Sequence, residues 1–212
     1  ITWLAEGLLP DEGSAILGGY ANVGKTWMLM DFAIEFARGG KWLEHFETKQ
    51  GSVLYIDEEN GLRRMKDKLG KLLNYKSLPA KDLPIHVLSS EGIHLGRGSI
   101  EKLVALLEAL KPKVVIIDSL IRVHGGDENS SRDMAKVFSL VKQLINHFGC
   151  LFFFADHHRK PGPFQSAGDI MLRGSSEKSA FVDILISLQV RKNKLVVENP
   201  KNRDAERRHP FC

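Results

Sequence analysis

Residues Gly19 to Thr26 read G-Y-A-N-V-G-K-T, an uninterrupted match to G-x-x-x-x-G-K-[ST]. That spacing wraps backbone N–H groups around phosphates, with the lysine reaching the terminal phosphates and the hydroxyl ligating a magnesium ion. The residues expected to hold a nucleotide are therefore Gly19, Tyr20, Ala21, Asn22, Val23, Gly24, Lys25, Thr26 and the adjoining Trp27. The expected ligand is ATP with Mg²⁺, with Thr26 as one metal ligand.

Other polar groups stand at the ends of apolar runs. K-V-V-I-I-D delivers Asp118, placed to hold Mg²⁺ through water beside Thr26. S-V-L-Y-I-D-E-E-N ends in Asp57, Glu58 and Glu59. One of these acids could orient the water that attacks a phosphate, or all three could favour the first turn of the following helix. L-F-F-F-A-D ends in Asp156, His157 and His158. His157 could donate to a terminal phosphate or be an ordinary hydrogen-bonded histidine. Adjacent strand residues face opposite ways, which makes the two histidines poor partners for one metal ion. Lys201 and Arg203, at i and i+2, would project to one side of an extended segment, either toward a phosphate bound by a neighbouring subunit or into solvent as part of a basic tail.

These groups need a scaffold that brings strand ends together. Apolar runs at 14–17, 52–57, 84–88, 113–118 and 150–156 alternate with helical spacing at 27–38, 61–73, 99–110 and 131–147. Strands apolar almost throughout, separated by helices, predict an α/β fold with a mostly parallel sheet covered on both faces. After residue 180 the pattern changes to two strands around R-K-N-K, an antiparallel hairpin at the sheet edge. One domain over residues 1–212 is expected, excised from a longer chain because it starts without Met and stops on R-R-H-P-F-C.

With 43% hydrophobic and 26% charged residues, the composition is that of an ordinary globular protein and excludes disorder or membrane embedding as global descriptions. Two cysteines give neither a disulfide framework nor a metal spacing, and Cys150 reads as a core residue. A cytoplasmic location is expected. The net charge of +4 permits nucleic-acid contact without demanding it. From 191 to 208 seven Lys/Arg face three acids, so the excess is concentrated in that tail.

The motifs taken together resemble the RecA-like ATPase core and, within it, the hexameric replicative-helicase branch of DnaB-type and plasmid RepA-like helicases. Y-I-D-E-E-N, V-V-I-I-D-S-L-I-R-V-H-G-G-D-E-N-S-S, A-D-H-H-R-K, L-R-G-S-S and V-E-N-P-K-N-R-D follow the phosphate loop in the order RepA-like sequences show. The resemblance implies that Glu59 is the catalytic glutamate, His157 the γ-phosphate sensor, and Lys201 with Arg203 a finger pair supplied in trans. It implies a homo-oligomeric, hexameric ring acting on single-stranded DNA, with channel loops at 124–132 and 160–176. The second loop, with Lys160 and Arg173 and with Lys178 nearby, is the better electrostatic candidate for DNA. Its rival, from another class, is an ATP-dependent switch or assembly platform of the same fold that does not translocate.

Overall fold

A computed structural model describes residues 1–79, 82–95, 100–124, 130–158 and 177–205. Along the first half run β1 (Trp3–Ala5), β2 (Leu9–Pro10), β3 (Gly13–Gly19), α1 (Lys25–Arg38), β4 (Lys41–Trp42), β5 (Phe46–Glu47), β6 (Val53–Asp57), α2 (Leu62–Tyr75) and β7 (Ile85–Ser89). There follow α3 (Ile100–Leu110), β8 (Val114–Asp118), α4 (Leu120–Val123), α5 (Ser131–Phe148), β9 (Leu151–His157), α6 (Glu177–Phe181), β10 (Ile184–Arg191) and β11 (Lys194–Asn202).

Every residue of β6 and β8 is buried, and so are all but one each of β3 and β9, which is what strands with helices on both faces require. Seven strands form one sheet in the order β11-β10-β3-β9-β8-β6-β7. Every pairing in it is parallel except β10 with β11. The expected hairpin is present, but only β11 lies at the edge. β10 is inserted beside β3 because Ile184, Leu185, Ile186 and Leu188 are apolar toward both faces.

Two hydrophobic layers flank the sheet. On one side α1 packs Leu29, Phe32 and Phe36 against Tyr55 and Phe153, and on the other α3 and α5 pack Leu103, Leu107, Phe138 and Val141 against Ile117 and Phe154. Each such fully buried side chain contributes about 1.5–3 kcal/mol relative to leaving it exposed. The helix α5 starts on Ser130, whose hydroxyl accepts from the Asp133 N–H at 3.2 Å, and stops at Gly149, with φ of 59°. Two small sheets, β1-β2 and β4-β5, were not legible in the sequence. Their strands of two or three residues are too short to carry a period. They cap the first layer, where Trp42 is buried against Phe32, Phe46 and Phe153.

The register places the chemistry. Gly19 pairs with His157 and Asp57 with Asp118, while Ile117 pairs with Phe154, so β6 and β8 end together two residues short of β3 and β9, and the four adjacent strands deliver their carboxyl ends to the same side of the sheet. Ligand sites form outside such ends. Among the described residues no helix is long and apolar enough to cross a membrane.

Candidate active site

The loop between β3 and α1 turns through two left-handed residues, Asn22 with φ of 63° and Gly24 with φ of 105°. Gly19 is required for a different reason: a Cβ there would lie 2.6 Å from Val23 Cγ1 and 3.3 Å from the Leu188 carbonyl. The loop rims a cavity of about 350 Å³, within the range of small-molecule sites. Ala21, Asn22, Gly24, Lys25, Thr26 and Trp27 line it from the loop and α1. Glu59, Asp118 and His157 line it from three strand ends. Tyr20, Gly19 and Val23 do not line it, and the Tyr20 ring instead packs edge-on against His158 at 5.4 Å.

Lys25 is nearly buried, its Nζ 3.0 Å from the Gly19 and Tyr20 carbonyls and 3.3 Å from His157 Nδ1. Burial holds its ammonium below the ordinary lysine range, against the pull of Asp118, Glu59 and Asp156. Those three acids are the countercharge that keeps a cation stable in this position.

The three consecutive acids have three different environments. Asp57 is fully buried and accepts from the Asn60 N–H, the Asn60 amide, the Gly61 N–H and the Ser89 hydroxyl, which makes it the knot of the turn into α2. Glu58 accepts from the N–H groups of Glu91, Gly92 and Ile93 at 3.0–3.2 Å, tying down the chain after β7. Glu59 alone faces the cavity, and the Ser119 hydroxyl donates to its Oε2 at 3.0 Å.

Asp118 is 2% exposed and accepts from the Tyr55 hydroxyl at 3.1 Å and from Thr26. Burial pushes its carboxyl up to about 6, opposed by those hydrogen bonds. Raised above its ordinary value of 3.8, this group costs the fold nothing below about pH 4 and an increasing amount as pH rises through about 6. Asp118→Asn is therefore expected to stabilise the protein at pH 7.5 by on the order of 2 kcal/mol in urea melts without nucleotide, and to lose Mg-dependent turnover. Destabilisation with turnover retained would contradict it. The donor set of Thr26 hydroxyl, Asp118 and Glu59 is all oxygen, the ligand chemistry Mg²⁺ takes.

His157 and His158 part as strand alternation requires. The imidazole of His158 sits beside Ser187 Oγ, at 3.4 Å, and burial pushes it down to about 4, so it is neutral at physiological pH. Among the described residues no cluster of three or more His, Cys, Asp or Glu could hold a metal ion. Cys150 is buried, and that burial pushes its thiol up to about 12, consistent with a core residue.

Lys201 and Arg203 do project to one side, but not into this cavity. Lys201 Nζ donates to the Ser179 and Ala180 carbonyls at 2.7 and 3.0 Å. Arg203 donates to the Ala180 carbonyl and to Asp183, at 2.8 and 2.9 Å. Asn202 pairs with Ile184, and Ile184 with Ala15, which puts them at the amino end of β3, away from the phosphate loop. Lys178, counted in the sequence among charges near a DNA-facing loop, is fully buried in an ion pair with Asp156 at 2.9 Å and is not a surface cation. Lys160, Arg173 and most of both expected channel loops lie outside the described residues.

Sequence reasoning missed four groups at or behind the cavity. Asn60 and Lys68 line it, and Ser119 and Tyr55 hold Glu59 and Asp118. Asn60 and Ser119 each directly follow a residue already singled out, the one available signal; Lys68 is one cation among many on α2.

The fold agrees with comparisons against known proteins. A family described as AAA domain matches residues 1–163. The chain is also 28% identical, over 129 residues, to the DNA repair protein RadA of Haemophilus influenzae (strain ATCC 51907 / DSM 11121 / KW20 / Rd). That match covers 60% of this chain and 22% of the relative, so the chain spans under a quarter of that relative's length. Since the family match takes in the phosphate loop and the strands that deliver Glu59 and Asp118, the chain belongs to the AAA domain family and has the fold of a RecA-like P-loop ATPase.

Proposed function

We propose that the chain binds and hydrolyses Mg-ATP as the motor of a homo-oligomeric, RepA-like replicative helicase acting on single-stranded DNA in the cytoplasm. The observation that carries the hydrolytic part is the convergence of Lys25, Thr26, Glu59, Asp118 and His157 on one cavity. Lys25 binds the β- and γ-phosphates. Thr26 and, through water, Asp118 would hold Mg²⁺, which when bound offsets phosphate charge. Glu59, fixed by Ser119, accepts the proton of the attacking water, and His157, in contact with Lys25, registers the terminal phosphate.

The DNA part is supported by the order of motifs along the chain and by a relative named for DNA repair. Lys201 and Arg203 act on the site of a neighbouring subunit, and the charges of Lys160 and Arg173 serve DNA binding. Hydrolysis is expected to rise severalfold with single-stranded DNA and to lose that stimulation steeply between about 50 and 200 mM salt. Unwinding of a forked duplex and a Mg-ATP-dependent ring in native mass measurements complete the test. A rate indifferent to single strands, with no strand separation, would reject the motor in favour of an ATP-dependent switch of the same fold.

A further inference from the structure

We propose that Lys68, on α2, is a second phosphate-binding cation of this cavity, contacting the terminal phosphate of a nucleoside triphosphate bound in the same chain. The inference rests on the nucleotide reading above and extends it to the group that tells a triphosphate from a diphosphate.

Three observations converge on it. Lys68 is half-buried and lines the cavity that holds Lys25, Thr26 and Glu59, although it arrives from a different helix. Its partners among the described residues are neutral: Asn60 Oδ1 at 2.9 Å and the Trp27 ring, whose centroid is 6.0 Å from Nζ. Two other lysines of this region, unlike Lys68, are committed to carboxylates, Lys71 to Asp67 at 2.7 Å and Lys76 to Asp31 and Glu35 at 2.6 and 2.7 Å. A lysine facing a phosphate loop without a carboxylate partner keeps its charge available for an anion.

The position along the cavity is set by Asn60. Its side-chain N–H donates to Asp57 Oδ1 at 2.7 Å, and its backbone N–H lies 3.1 Å from both oxygens of that buried carboxylate. With its nitrogen fixed, the amide presents its oxygen to Lys68. Asn60 directly follows Glu59, so the ammonium is tethered on the side of the cavity where the attacking water and the last phosphate meet. The indole face and amide oxygen hold the lysine near this place without neutralising it, and its four-carbon stem allows the short swing to a phosphate oxygen.

The test is calorimetric binding of Mg²⁺ with the β,γ-imido analogue of ATP, and separately with ADP, to the unaltered chain, Lys68→Ala and Lys68→Arg. Lys68→Ala is expected to weaken the triphosphate analogue by about tenfold or more, the loss of one charge-assisted contact, and to leave ADP within about twofold. Lys68→Arg should recover most of the affinity. Equal losses for both nucleotides, or an unchanged triphosphate affinity, would overturn the assignment. If the unaltered chain binds neither nucleotide, the nucleotide reading itself fails, a result distinguishable from failure at Lys68 alone.

Discussion

Glu59→Gln is expected to bind Mg-ATP with near-normal affinity and to turn it over at least about 10²-fold more slowly, the loss that follows when a positioned base is removed. Glutamine is the same shape and still offers an oxygen to the Ser119 hydroxyl that donates at 3.0 Å, so the variant removes basicity and little else. Its neighbours provide the contrast. Glu58→Gln is expected to weaken the clamp on three backbone N–H groups and to lower stability by about 1 kcal/mol without touching the chemical step. Asp57→Asn leaves backbone donors facing an amide at a fully buried position and destabilises more. Equilibrium binding, single-turnover hydrolysis and urea melts on the three variants separate the roles. Hydrolysis lost in Glu58→Gln and retained in Glu59→Gln would reverse the assignment.

Arg203→Ala is the second large effect, an expected fall in turnover of about 10³-fold with Mg-ATP binding intact. The register keeps Arg203 away from the phosphate loop of its own chain, so the proposed effect is one on a neighbouring site. Arg203 follows Asn202, which lies level with Ala15, and at ~3.3 Å per residue the four steps to Gly19 separate it from its own phosphate loop by about 13 Å. The ion pair of Arg203 with Asp183 is half exposed and contributes under about 1 kcal/mol, so the variant should fold. Mixing it with Lys25→Ala subunits should restore part of the rate, because each subunit lacks what the other supplies. Full turnover by Arg203→Ala, or by a strictly monomeric chain, would remove the trans reading.

Much of this was legible in the sequence, for identifiable reasons. The runs 14–17, 52–57, 113–118 and 150–156 became strands with ends displaced by at most two residues, since strands buried on both faces are marked by apolar content alone. The phosphate loop was legible because its chemistry is local: all of its groups lie within one turn of chain. What tertiary contact decides was not legible. Asp57, Glu58 and Glu59 are alike in sequence and are sorted only by which donors reach them, backbone N–H groups for the first two and the Ser119 hydroxyl for the third. Lys68 differs from Lys71 only in which side of α2 turns toward the loop. The burial of Lys178 depends on Asp156, a partner twenty-two positions earlier along the chain.

That ion pair also bears on which changes the interior tolerates. Asp156 and Lys178 are held 2.9 Å apart in the interior, which pins the end of β9 to α6. Loss of either charge would strand the other inside the protein at a cost of about 3–5 kcal/mol, so neither position can change sign or lose its charge without its partner.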